Sequence, residues 1–119
     1  MSEKLYYMVY SNPAEGKEDE FNKWYDTVHL PEVLAVPGMI SAQRCKLKVT
    51  KVGSEGGMSP ETHRYSVVYE MDGEPDEVMG IIRDQVAKGE MHMSDAVDLS
   101  SIQMLWWTQV GEKQLSPRK

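Results

Sequence analysis

The chain has 119 residues, 40% hydrophobic and 27% charged. That is too short for two ordinary domains but enough for one core that removes roughly two thirds of the unfolded surface from water. Thirteen Lys and Arg against nineteen Asp and Glu leave a net charge of −6, a surface that repels phosphate backbones and excludes nucleic acid as a partner. With one six-residue apolar run near the start and Cys45 as the single cysteine, no signal peptide, membrane span or internal disulfide is expected, which suits the reducing cytoplasm.

Residues 4–11, Lys-Leu-Tyr-Tyr-Met-Val-Tyr-Ser, are aromatic and β-prone without polar alternation, and predict a strand covered on both faces. Asn12-Pro13-Ala14-Glu15 resembles a helix start, with Asn as cap and Glu three residues on, although Gly16 allows the regular helix to begin only after it. From Phe21 to Gly38 the chain is at its most informative. With about 100° per residue and Phe21 as zero, Val28 at about −20°, Tyr25 at about +40° and Trp24 at about −60° define a buried stripe, and His29 at about +80° lies on its border. Pro31 has no amide hydrogen and pushes Leu30 away from helical dihedrals, so the helix is expected to stop close to His29. There the helix dipole favours imidazolium and partial burial favours the neutral ring, opposed pulls that could hold the histidine near neutrality for acid/base work.

Pro37-Gly38 turns the chain into a second strand, residues 39–52. Met39, Ser41, Gln43, Cys45, Leu47 and Val49 share one face; Ile40, Ala42, Arg44, Lys46 and Lys48 share the other, a cationic row suited to a partly exposed edge. The Gly/Ser-rich residues 53–61 read as a hairpin loop rather than a domain linker. A third strand runs from His63 to Met71, followed by a turn at 72–75 and a second helix whose Val78, Ile81, Ile82 and Val86 form one stripe and which Gly89 ends. Residues 90–101 read as irregular, and Ile102 to Val110 as a fourth strand with Trp106 and Trp107 on opposite faces. Residues 1–111 thus form one domain, and the tail, 112–119, is patternless.

This βαββαβ order predicts an α+β, ferredoxin-like fold: four antiparallel strands with two helices on one face. The opposite face would remain uncovered, although strands one and four carry apolar residues on both faces. A second copy of the chain is the economical cover, so a homodimer is expected.

Asn12-Pro13, Glu15-Gly16, Phe21, Trp24-Tyr25-Asp26, His29-Leu30-Pro31-Glu32-Val33-Leu34, Val36-Pro37-Gly38 and Gln43-Arg44, with the later Tyr65-Ser-Val-Val-Tyr69-Glu70, together resemble the EthD-like dimeric α/β-barrel proteins. The order of elements agrees over nearly the whole chain, while the specific motif covers residues 12–44. The resemblance implies a dimeric barrel with a pocket between each sheet and its own helices. It also implies a small, mostly cofactor-free enzyme: an isomerase, decarboxylase, dehydratase, cyclase or monooxygenase. In such proteins a histidine ending the first helix points into the pocket, and His29 matches it. The resemblance gives a place for chemistry and not a reaction.

Each candidate residue has a plainer alternative. His29 could cap carbonyl groups or tether the Pro-rich loop. Asn22 at about +100°, Glu18 at about +60° and Asp26 at about +140° on the same wheel could each orient its ring, or face solvent; the resemblance favours Asp26. Tyr25 could donate to an enol or carbonyl oxygen or be a core aromatic. Trp24, Tyr69 and Trp106 could wall a pocket for an aromatic ligand, Trp107 being the alternative to Trp106, or be core. Arg44 could pair with a substrate carboxylate, or with Glu70 across neighbouring strands.

Other chemistries find no support. His63 reads as solvated. Met91-His92-Met93 superficially resembles a soft-metal site, but three successive side chains cannot all face one ion, so no metal is expected. Nine methionines suit adaptable packing around a pocket or a dimer seam. No phosphate loop, dinucleotide fingerprint or nucleophile elbow occurs, so no cofactor is expected. The functional expectation is an enzyme acting on a small hydrophobic oxygenated or aromatic molecule: His29 moves a proton next to a carbonyl while Tyr25 or Arg44 stabilises the oxyanion. A cofactor-independent monooxygenase and a non-catalytic small-molecule binder are the alternatives.

Overall fold

A computed structural model describes residues 4–51 and 63–118. In chain order it contains β1 (Leu5–Pro13), α1 (Glu18–Trp24), a π-helical turn (Tyr25–His29), α2 (Leu30–Leu34), β2 (Met39–Lys46), β3 (Tyr65–Met71), α3 (Pro75–Ala87) and β4 (Val97–Thr108). The strands form one antiparallel sheet in the order β2-β3-β1-β4. With α1, the π turn and α2 acting as one helical arm, this is the ferredoxin-like split βαβ arrangement.

Period-two alternation decides which face of the sheet is core. Leu5, Tyr7 and Val9 of β1 and Tyr65, Val67, Tyr69 and Met71 of β3 are buried on one face, where they pair in register, Tyr7 with Tyr69 and Val9 with Val67. Phe21, Tyr25 and Val33 of the arm and Val78 of α3 pack onto them. Tyr6, Met8 and Tyr10 face the other way and are half-buried. Of the expected stripe of α3, Val78 is buried, while Ile81 is turned outward and Met79 takes its place against the core.

Several boundaries move. Asn12 and Pro13 continue β1 opposite Asp98 and Val97 instead of capping a helix. They lie past the end of the β1–β3 ladder, so the missing amide of Pro13 costs that ladder no bond, and the Asn12 side chain accepts the Arg64 amide at 2.7 Å. The arm begins after Gly16, with Glu18, Asp19 and Glu20 in its first turn to complement the helix dipole. β2 occupies the predicted edge but ends at Lys46, and a register shift between Met39 and Ser41 undoes the expected face assignment: Met39 joins Ala42 and Arg44 on the core side. β4 starts at Val97, five residues before the expected Ile102, because it pairs with the extended end of β1. The predicted 53–61 loop lies outside the described residues. Residues 112–118 have no regular secondary structure.

Two glycines set how closely the arm's exit meets the start of α3. Gly38 has φ +100°, its carbonyl accepts the Asp72 and Gly73 amides at 2.9 and 3.3 Å, and a Cβ built on it would lie 3.0 Å from both Gly73 Cα and Val78 Cγ2. Gly38→Ala is therefore expected to lower unfolding free energy by about 2 kcal/mol or more. Gly80→Ala, at a helical position whose Cβ meets nothing closer than Arg83 at 4.0 Å, should raise it by up to about 1 kcal/mol. Denaturant midpoints of the two variants check both signs.

Candidate functional site

Pro31 does not end the helix. The Leu30 amide bonds to the Tyr25 carbonyl five residues back, and the chain continues as α2 with Pro31 in its first turn. A proline in an ordinary helix interior collides with the carbonyl four residues earlier, and a widened turn just before it relieves that conflict. The widening also changes which side chains meet. On an ordinary helix Trp24 and His29 would stand about 140° apart; here their rings stack with centroids 4.4 Å apart and planes 18° apart. Tyr25 meets the same imidazole edge-on at 5.2 Å.

His29 lies on the wall of a cavity of about 190 Å³ between the core face of the sheet, the arm, α3 and the segment leading into β4. Trp24, Tyr25 and Tyr69, three of the residues singled out in the sequence, share its lining. Pattern reading missed Tyr7 and the thioethers of Met79, Met91, Met93 and Met104, which line it together with aliphatic side chains. The available signal was the high methionine count, which has no periodicity to place it. Tyr7, Tyr69 and Trp106 form a stacked aromatic row across β3, β1 and β4, with centroid separations of 5.2 and 4.7 Å. Trp106 rather than Trp107 is therefore on the core side, though it supports the cavity through Tyr7 and is not itself part of the lining.

Burial sets the electrostatics. Loss of solvent pushes the His29 pKa down to about 4, against the opposing pull of the Glu32 charge, so the ring is neutral at pH 7. It does not poise near neutrality, because the arm continues past it and the expected helix-end dipole is absent. Its Nδ1 is one of two buried side-chain polar atoms without a hydrogen-bond partner among the described residues, the other being Arg44 Nε. Burial raises the pKa of Tyr7, of Tyr69 and, against its Ser11 contact and Arg44, of Tyr25, so these hydroxyls keep their protons. The Tyr25 hydroxyl is 3.5 Å from Ser11 Oγ, and that of Tyr7 donates to the Met104 sulfur at 3.1 Å.

None of the three suggested orienting residues holds His29. Asp26 is paired with Arg44 at 3.0 Å, Asn22 accepts from Arg44 at 2.7 Å, and Glu18 takes the Tyr65 hydroxyl and Arg64. Arg44 is not in the cavity. Its guanidinium lies 4.8 Å from the Tyr25 ring centroid and 5.4 Å from that of Tyr65, a cation–π clamp that joins the edge strand to the arm. Nor does it pair with Glu70, which binds Lys4 and Ser41 instead.

The remaining histidines are structural. His63 is partly buried, with Nε2 2.8 Å from the Ser101 carbonyl. His92 lies between two cavity-lining methionines and is itself pinned to the arm: its amide and Nδ1 meet the Glu32 carboxylate at 2.9 and 2.7 Å, and its carbonyl accepts the Trp24 indole at 2.8 Å. Among the described residues no group of three or more His, Cys, Asp or Glu could hold a metal ion, and no helix is long and apolar enough to cross a membrane.

A half-buried neutral histidine destabilises the fold in acid. Between its unfolded pKa of about 6.5 and its folded value of about 4, the unfolded chain takes up a proton that the folded chain refuses. Stability therefore falls as pH drops through that window and the loss saturates below it. Relative to a His29→Phe variant, wild type should lose up to about 3 kcal/mol between pH 7 and pH 4, read from urea unfolding at each pH. A constant difference would contradict the burial of this ring.

No curated protein matches the chain. A family model described as a domain of unknown function, DUF4286, matches residues 4–78, a span that includes the whole helical arm with Trp24, Tyr25 and His29 and stops before β4. Since the match covers more than half of the sequence, the chain belongs to the DUF4286 family.

Proposed function

We propose that the protein is a small cofactor-free enzyme that moves a proton on a hydrophobic oxygenated molecule held in the cavity, in chemistry of the isomerase, dehydratase or lyase type. The observation that supports this is a neutral imidazole, without a salt-bridge partner among the described residues, on the wall of an apolar hollow. In the proposed step a ring nitrogen takes a proton from the carbon next to a carbonyl, and the electron pair of that bond moves to the oxygen as an enolate. The imidazolium then returns the proton to another carbon or to a leaving oxygen. An imidazolium destabilised by burial is a strong acid and gives its proton back readily, which suits proton return within one molecule.

The oxyanion donor in this reading is Tyr7 rather than Tyr25 or Arg44. Tyr7 spends its hydroxyl proton on a thioether, a weak acceptor that a charged oxygen would displace. The Tyr25 hydroxyl is at Ser11, and Arg44 is held by Asp26 outside the lining. A second reading, a small-molecule binder without turnover, is favoured by the scarcity of polar groups on the wall: beside the tyrosines, His29 is the one titratable residue among the described lining.

The assembly proposed for this function is a cytoplasmic homodimer. Its support is the half-buried row of Tyr6, Met8 and Tyr10 together with Val68 and the exposed Trp107 on the sheet face opposite the arm and α3, and the resemblance to EthD-like barrels.

In a turnover screen of lactones, enones and cyclic ketones, any compound that wild type converts should be converted about 10²-fold more slowly by His29→Ala and about 10-fold more slowly by Tyr7→Phe. Undiminished turnover by folded His29→Ala would remove the proton-transfer role. Saturable binding without conversion of any compound would favour the binder.

A further inference from the structure

We infer that the cavity takes an uncharged, single-ring aromatic molecule carrying one hydrogen-bonding oxygen, such as a phenol or an aryl ketone, and rejects carboxylates. This narrows the ligand of the site proposed above and rests on that cavity being the working site.

Size comes first. A dry apolar cavity of about 150 Å³ accommodates benzene, so about 190 Å³ accommodates one ring with a small substituent, and a second fused ring would extend toward the exposed Leu99 and Met93 and gain little. The wall chemistry selects for aromatic character. Met79, Met91, Met93 and Met104 supply four thioethers, which make favourable contacts with ring edges, and Tyr7 and Tyr69 offer aromatic surface to an incoming ring.

Charge selects against anions. Among the described residues the lining holds no Lys, Arg, Asp or Glu, and a carboxylate brought there would be desolvated without a counter-ion. Arg44, which the sequence suggests as a carboxylate partner, is occupied by Asp26 and Asn22. Beside the tyrosine hydroxyls, the imidazole is the hydrogen-bonding side chain of the described lining. Trp24 covers one face of the imidazole, and Nδ1 is sealed from solvent and unbonded, so the edge bearing Nε2 is what the ring can offer a ligand.

Calorimetric titration at pH 7.5 with p-cresol, toluene, 4-methylbenzoate and 2-naphthol tests this. The expected order is p-cresol tighter than toluene by about 5- to 10-fold, the worth of one net hydrogen bond, with 2-naphthol no tighter than p-cresol and 4-methylbenzoate at least about 50-fold weaker. His29→Leu should keep toluene binding and lose the preference for p-cresol, and His29→Gln, which retains a hydrogen-bonding group, should keep part of that preference. Binding of 4-methylbenzoate within a few-fold of p-cresol, tighter binding of 2-naphthol, or no binding of any of the four would overturn the assignment. If p-cresol binds as expected while no carbonyl compound is turned over, the proton-transfer reading falls and the ligand class stands. If aliphatic lactones are turned over while none of the four binds, the ligand class falls and the proton-transfer reading stands.

Discussion

The stack of His29 on Trp24 exists because the helical arm widens by one residue immediately before Pro31. On an unbroken α-helix these two rings would point to different sides, His29 would sit at the rim of the buried stripe, and Pro31 would collide with the preceding turn. The π turn removes the collision and rotates the imidazole inward over the indole. That one change accounts for the enclosed position of His29, its depressed pKa and its unbonded Nδ1. The bulge is anchored by its neighbours: Phe21 is fully buried one turn earlier and meets Tyr25 edge-on at 5.0 Å, so the first residue of the turn is fixed in the core.

The two sides of the cavity are held by different physics. On the sheet side, the stacked row of Tyr69, Tyr7 and Trp106 and the Arg44 clamp over Tyr25 and Tyr65 make a wall of rigid rings tied to the arm by charge. On the other side, the segment between α3 and β4 contributes flexible thioethers, and it is secured through His92 to Glu32 and Trp24. Both anchors belong to the arm, and one of them is the residue on which His29 stacks. The described lining between them carries no Lys, Arg, Asp or Glu, which leaves the imidazole and the tyrosine hydroxyls as its polar groups.

The fold was legible where period and turn chemistry agree. The βαββαβ order, the edge position of β2 and the late start of the arm after Gly16 all follow from residue pattern. Tertiary pairing overrode local signals elsewhere. Asn12-Pro13 has the composition of a helix cap but is drawn into β1 by Asp98 and Val97, and the bulge near Ile40 moves Met39 to the core side. At the site, Trp24, Tyr25, His29 and Tyr69 were identifiable from the helical wheel and from strand alternation. Tyr7, the methionines and the partners of Asp26 and Arg44 were not, because they depend on how elements far apart in sequence are brought together in the fold. The π turn was hidden for a related reason: Pro31 signals a conflict, and the chain resolves it by widening where local rules predict termination.

The central claim is that the imidazole of His29 is enclosed and uncharged at physiological pH. An NMR titration of the ring nitrogens in the intact protein, with the signal assigned by comparison with His29→Gln, measures this directly. The structure predicts that His29 stays neutral down to mildly acidic pH and protonates only at about 4. A midpoint at the ordinary histidine value of about 6.5 would mean that the ring is solvated, and the account of the site would fail.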